Sequence, residues 1–284
     1  MIVPDVQRSW IGKAHIVGQD VQATSYWPPQ STPDVHSASV SSTDNGKQPW
    51  ILVNSTPATC AQLGLSHFFK DRGPIELVIS GPNYGRNTTA VFALSSGTLG
   101  AAMESAICGY RTIGLSFAFF DRNNERDIVS ESCSLAIKVC EWLAKNANWA
   151  PSRLYSVNVP VKRGVSKQRT IWTKMLQNQW KHGACFEEMS GPDRVDDPNT
   201  EEAKLRRQEI ENGDSGNANG GDSRWKTRHF KWAPRFKDVY DAVEAAGPGS
   251  DGWTVRAGET SVTALHANFM HAEGYEGEIN LVQE

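Results

Sequence analysis

Residues Ile75–Ser116 read IELVISGPNYGRNTTAVFALSSGTLGAAMESAICGYRTIGLS, and this stretch predicts one strand, loop, helix, strand unit. Ile75, Leu77, Val78 and Ile79 form a near-continuous apolar run, as expected of a strand buried on both faces of a parallel sheet. A glycine-rich turn follows. Leu99, Ala102, Met103, Ala106 and Ile107 then recur at helical spacing, which puts an apolar face on one side and sends Glu104 and Ser105 elsewhere. Gly109 suits a left-handed helix cap. Thr112–Phe120 alternates Ile113, Leu115, Phe117 and Phe119 and supplies the next parallel strand. In such units ligands lie at the carboxyl ends of strands, against helix N-termini. Asn83, Asn87, Ser96, Gly97 and Thr98 fall there. Two amides, two hydroxyls and bare backbone suit an oxyanion, because unpaired N–H groups and the helix dipole both favour negative charge. The same residues also suit a plain capped helix, with Ser96 as its cap and the asparagines holding turns.

Outward from this unit, the first element is short: Met1–Val3 is apolar and is stopped by Pro4. Asp5, Arg8, Ser9 and Lys13 follow just past it, as a second carboxyl-end group or as an ordinary polar turn. Ala14–Ala23 reads as an exposed arm and Pro28–Pro49 as a polar loop with little to bury. Trp50–Asn54 returns to strand character. Thr56 is an N-cap with Pro57 at the first helical position, opening a helix that ends near Gly73. Arg126–Asn146 is a long amphipathic helix, and Leu154–Val159 is a strand ended by Pro160. This alternation argues for a parallel sheet covered on both faces. Arg169–Met175 is expected as a strand of a second, mixed layer. Asp193–Arg228 reads as a polar insertion, with a short helix at Thr200–Glu211. Asp251–His266 carries a turn at Gly258 and a strand through Val262 and Leu265, and the tail beyond Met270 is sparse in apolar residues.

Composition sets outer bounds. With 284 residues, 29 basic and 32 acidic side chains and a net charge of -3, the chain offers no general attraction to nucleic acid or to a membrane surface. It contains no apolar run long enough to span a bilayer and no leader pattern at Met1. The five cysteines have no metal-ligand spacing, and those on the Arg126–Asn146 helix, Cys133 and Cys140, are expected as reduced core thiols of a cytoplasmic protein. No GxGxxG follows a strand, which sets a dinucleotide dehydrogenase low.

The segments VPDVQRSWIG, NSTPATCAQLGL, SGPNYGRN, SSGTLGAAMESAICGYRTIGLS, VNVP and SDGWTVRAGETSVTALH occur in the order seen in the SurE family of survival proteins, which the chain resembles over most of its length. The resemblance implies an α/β fold: a Rossmann-like three-layer core with a parallel sheet (residues 1–160) and a smaller C-terminal mixed α/β region used for oligomerisation (161–284). It implies a metal-dependent phosphatase acting on nucleoside monophosphates and other phosphomonoesters, assembled as a homodimer or tetramer. By the same resemblance Ser9 and Asn83 are metal ligands, Ser96, Gly97 and Thr98 contact phosphate, and Asn87 lines the site. Trp10 stands where the family has glycine, and Pro82 where it has an apolar residue. The family's first strand, ending in Asn-Asp-Asp-Gly, has no counterpart here. Its aspartates would supply the anionic ligands of a magnesium or manganese ion, so the expectation is weak metal affinity and impaired hydrolysis. The alternatives are a non-catalytic phosphate- or nucleotide-binding module and a chain kept for association.

Overall fold

The computed structural model describes residues 1–28, 48–120, 125–181, 185–189 and 228–269. The polar stretches expected at 28–49 and 193–228, the helix at 200–211 and the tail beyond 270 lie almost wholly outside these residues. Ten strands and six α-helices are described: β1 (Ile2–Pro4), β2 (Ala23–Tyr26), β3 (Trp50–Val53), α1 (Pro57–Leu63), β4 (Val78–Tyr84), α2 (Thr89–Ser95), α3 (Gly97–Ile107), β5 (Thr112–Phe119), α4 (Arg126–Asn146), β6 (Arg153–Val161), β7 (Thr170–Trp172), β8 (Phe186–Met189), β9 (His229–Trp232), α5 (Phe236–Ala246), α6 (Asp251–Arg256) and β10 (Thr260–His266).

The main sheet has five strands in the order β4-β5-β6-β10-β7. β4, β5 and β6 are mutually parallel; β10 runs antiparallel to β6 and parallel to β7. Helices cover both faces. Alternation along β5 sends Ile113 and Leu115 toward Ala136, Val139, Cys140 and Leu143 of α4. Gly114, between them, faces α3, where a Cβ would come within 2.7 Å of Leu99 Cδ2. Along β6, Tyr155, Val157 and Val159 join the α4 side, while Leu154 packs with Ala102 and Ala106 of α3. A second sheet, β1-β3-β2, stands apart, with β1 parallel and β2 antiparallel to β3. β8 and β9 form a separate antiparallel pair.

Several expectations are borne out. Thr56 caps α1 by accepting from Thr59 N–H, Pro57 follows it, α4 has the bounds its periodicity predicts, and Gly109 takes φ +88° after α3. Others are corrected. The strand expected at Ile75–Ile79 begins at Val78 and runs on through Asn83 and Tyr84, with a register shift between Ser80 and Asn83. Among the described residues it is an edge strand, not a doubly buried one, and Ile79 is 46% exposed. In α3 the expected faces are partly inverted. Ile107 is 54% exposed, whereas Glu104 and Ser105 are buried, because this alanine- and glycine-rich helix is enclosed by β4, β5 and β6 on one side and by α1 on the other. Pro160 does not end β6; it sits inside the strand opposite Ala118. The Arg169–Met175 segment contributes β7 to the edge of the main sheet and not to a second layer, so residues on both sides of 160 share one sheet.

Candidate functional site

β1 ends at Pro4, and the loop after it crosses the corner where α2 meets α3. Ser96 forms that corner. It is the C-cap of α2 and the N-cap of α3, its Oγ accepting from Leu99 N–H at 3.1 Å. Missing side chains let the loop come close. A Cβ on Gly97 would lie 2.9 Å from Pro57 Cγ, 3.1 Å from Ile11 Cγ2 and 3.4 Å from the Arg8 carbonyl oxygen, and one on Gly100 would lie 2.3 Å from the Gly12 carbonyl oxygen. Gly12 N–H donates to the Ser95 carbonyl at 2.8 Å and fastens the loop there. Ser9 lies in this loop, between Arg8 and Ile11, which both approach Gly97.

β4 is tied to the same corner through Ser80, whose Oγ donates to the Thr98 carbonyl at 2.8 Å. Beyond the register shift, Asn83 is half-buried and its Nδ2 donates to the Gly85 carbonyl at 2.8 Å. Asn87 is placed differently. It is buried, its backbone N–H donates to Asn158 Oδ1 at 2.8 Å, and its side-chain Nδ2 donates to Ser116 Oγ at 2.7 Å. The amide that sequence puts at the site edge is thus turned into the carboxyl ends of β5 and β6. The loop that carries Ser9 thus packs on the Ser96–Thr98 corner and Ser80 of β4 is bonded to it, whereas Asn83 is held by Gly85 and Asn87 by Asn158 and Ser116.

At this corner Gly97 and Thr98 offer backbone N–H groups that find no acceptor among the described residues, at the positive end of an 11-residue helix. That is the arrangement an oxyanion needs. The α3 flank is charged on its other side. Lys13 Nζ lies 2.5 Å from Glu104 Oε2 and His15 Nε2 lies 3.4 Å from it, and Gln62 Nε2 donates to Glu104 Oε1 at 2.6 Å. Burial alone would raise the Glu104 carboxyl. The hydrogen bonds from Lys13 and Gln62 and the charges of Lys13 and His15 outweigh it and hold the group below its ordinary value. The sequence reading singles out Lys13 but pairs it with nothing, because Glu104 is 91 residues away and reads as a solvent-facing helix position.

Trp10, where the family pattern has glycine, takes φ +60°. The left-handed backbone that glycine adopts freely is kept with an indole on it. Packing supports the strained residue: the Trp10 ring lies 5.7 Å from Phe92, 5.2 Å from Trp232 and 5.8 Å from Phe236. Arg86 stacks over Tyr240 at 4.6 Å and approaches Phe92 at 5.9 Å. An aromatic wall therefore joins the loop of Ser9 to the C-terminal elements.

For a divalent cation the donors are few. Ser9 and Asn83 are neutral, Asp5 lies 3.9 Å from Arg8, and Glu104 is committed to Lys13 and Gln62. Among the described residues no group of three or more histidines, cysteines, aspartates or glutamates comes together. A magnesium-like dication takes six oxygens, at least one or two of them from carboxylates, and among the described residues no uncommitted carboxylate stands beside Ser9 or Asn83, so these residues do not fit one and no step is derived through it. The five cysteines are unpaired; burial pushes Cys60 up to about 12 and Cys140 up to about 11, which makes both inert core thiols. No single described helix is long and apolar enough to cross a membrane.

The family model described as "Survival protein SurE" matches residues 1–182. The chain is 31% identical over 317 aligned residues to the Saccharomyces cerevisiae protein described as "Probable tubulin--tyrosine ligase PBY1", covering 99% of this chain and 38% of that one. It is 37% identical over 108 residues to "5'-nucleotidase SurE" of Petrotoga mobilis, covering 38% of this chain and 40% of the relative. The protein of the same description from Myxococcus xanthus is 31% identical over 156 residues, 52% of this chain and 51% of the relative. The chain spans between 38% and 51% of the length of these relatives. Among solved structures, the SurE protein of Aquifex aeolicus superposes with a TM-score of 0.57 at 20% identity, covering 95% of this chain and 82% of that one. At that identity the likeness concerns the fold.

Proposed function

The chain belongs to the SurE family, and from that membership we propose that it binds phosphate monoesters, nucleoside monophosphates among them, at the N-terminus of α3, as the phosphate-holding part of a hydrolase of the 5'-nucleotidase type. The observation that carries this reading is the open pair of N–H groups at Gly97 and Thr98, with the loop of Ser9 brought against them. Those donors and the helix dipole favour a dianionic phosphoryl group. Ser9 and Asn83 stand at the rim, where a hydroxyl and an amide can accept or donate as the ester oxygen requires.

Nucleotidases of this family depend on a divalent cation, which polarises the phosphoryl group and activates water when bound. Ser9 and Asn83 are the residues of this chain that would face it. They supply neutral oxygens and no charge, so the binding half of the reaction is better provided for than the hydrolytic half. Membership of the family also supports a homodimer or tetramer as part of this reading, and the unpaired cysteines fit a cytoplasmic location. The ligase description of the yeast relative belongs to a protein of which 62% lies outside the match, the part left by the 38% covered. That description is no guide to the matched segment.

The test has two arms. Calorimetry with AMP in the presence of a chelator is expected to show binding, with the affinity lost in Ser96→Ala. Manganese- or magnesium-dependent release of phosphate from AMP is expected to be slow. Absence of heat at millimolar AMP would sink the proposal. Rapid release that is indifferent to Ser96→Ala and Asn83→Asp would place the chemistry elsewhere.

A further inference from the structure

α2 is the short helix between the Asn83–Asn87 loop and the Ser96–Thr98 corner. No sequence motif marks it out, yet any shift of α2 moves both flanks of the site, because Ser96 ends it and Asn87 lies two residues before it. Its first residue is under strain. Thr89 takes φ +68°, a left-handed conformation that a β-branched side chain rarely adopts. It is fully buried, and its Oγ1 finds no partner among the described residues. Such a residue persists only when its surroundings over-determine it.

The surroundings come from far along the chain. Thr89 N–H donates to Asp251 Oδ2 at 2.9 Å. The other oxygen, Oδ1, accepts from Leu176 N–H at 3.0 Å and from Gly252 N–H at 2.7 Å. Leu176 in turn accepts from Ala90 N–H at 2.8 Å, and Asn178 Oδ1 accepts from Val91 N–H at 3.0 Å. Asp251 is 1% exposed. One buried carboxylate therefore joins three segments: the start of α2, the strand-like run after β7, and the start of α6. Gly252 completes the fit, since a Cβ there would lie 3.2 Å from Thr89 Cγ2 and 2.7 Å from Val243 Cγ2.

We infer that Asp251 is a positioning residue for the phosphate site: by holding Thr89 and Leu176 together it fixes α2 and so sets the spacing between Asn83 and the Ser96–Thr98 corner. The inference rests on the reading of that corner as the phosphate site. Asparagine at 251 keeps the size but has one acceptor oxygen, and its NH2 faces whichever backbone N–H the oxygen does not serve.

The experiment compares the full chain with Asp251→Asn, Thr89→Gly and the double variant. AMP affinity is read by calorimetry in chelator, and backbone amide exchange is followed by mass spectrometry over residues 87–98 and, as an internal control, over β5 and β6. Asp251→Asn is expected to weaken AMP by tenfold or more and to speed exchange over 87–98 while β5 and β6 stay protected. Adding Thr89→Gly is expected to recover part of the affinity, since glycine takes φ +68° without the carboxylate's hold. A folded Asp251→Asn protein with affinity within twofold of the parent and unchanged exchange over 87–98 would overturn the inference. Should Asp251→Asn fail to fold, Asn178→Ala loosens the same helix end. Faster exchange over 87–98 with weaker AMP binding would support the inference, and loss of stability without either change would refute it. Should the parent itself not bind AMP, the reading of the site fails, while the exchange comparison still decides whether Asp251 holds α2.

Discussion

Two successive helices in this molecule begin in opposite ways. α2 and α3 meet at Ser96 with a bend of 70° between them. At the start of α2 the first three N–H groups, from Thr89, Ala90 and Val91, are all taken by protein acceptors. At the start of α3 only Leu99 N–H is capped, and Gly97 and Thr98 are left open among the described residues. Every helix begins with orphan donors. Which orphans the protein satisfies with its own oxygens, and which it leaves behind glycine-sized gaps, separates a structural end from one available to an oxyanion. The longer helix also carries the fuller dipole.

The largest effect on the α3 side is expected from Lys13→Met. It leaves the buried Glu104 carboxylate with Gln62 and the exposed His15. Breaking a buried pair by removing one partner destabilises by about 3–5 kcal/mol; because the Lys13 side chain is 32% exposed, the lower end applies. Urea unfolding measures it, and a loss below ~1 kcal/mol would mean that Glu104 is solvated after all. Gly100→Ala comes next. Its Cβ would meet backbone, the Gly12 carbonyl oxygen at 2.3 Å and Lys13 Cα at 2.9 Å, so the loop of Ser9 must lift away from α3. Overpacking of this kind destabilises by roughly 1–3 kcal/mol. AMP binding should fall with it, and a variant of parental stability and affinity would show that the loop is not held as described.

Much of this architecture was legible. Thr56 with Pro57, the periodicity of Arg126–Asn146 and the Ser96-Gly97-Thr98 corner all announce themselves through local chemistry, since caps and amphipathic faces are written within a few residues. β2 was hidden because all four of its residues are exposed and only its pairing with β3 makes it a strand. Ile75–Ile79 misled because an apolar run does not say whether a neighbouring strand lies on both sides. Glu104 misled for a related reason: a carboxylate on a helix reads as solvent-facing unless the fold delivers Lys13 to it. Asp251 could not have been linked to Thr89 by any local rule, because the two are 162 residues apart. Its segment reads locally as a turn and a strand and does not announce the short helix α6 that presents its carboxylate.

Ser96→Ala sharpens the contrast more finely. Losing an N-cap hydroxyl typically destabilises by ~1 kcal/mol, and at the α3 corner it also removes a group beside the open N–H pair. Affinity for AMP should therefore fall further than stability does. Asn178→Ala removes one acceptor at the α2 end for a loss of similar size, and its effect on AMP should come only through movement of α2. Equal effects of the two variants on affinity at equal stability would erase the distinction between the two ends.

The mildest test is pH. Glu104, on α3, is held below its ordinary value by Lys13 and Gln62 despite burial. Its contribution to stability is present above its unfolded value and is lost as pH falls through the lower folded one. Asp251, which serves α2, is pushed above its ordinary range by burial, against the pull of the N–H groups of Leu176, Thr89 and Gly252. Its contribution is present in full below the unfolded value and is lost as pH rises through the raised folded one. The carboxylates that serve the two helices thus respond to acid with opposite signs. Between pH 3 and 6, Glu104→Gln should remove a stability term that grows with pH, and Asp251→Asn one that declines. Urea midpoints collected across that window measure both slopes, and slopes of the same sign would mean that one of the two carboxylates is not in the environment described.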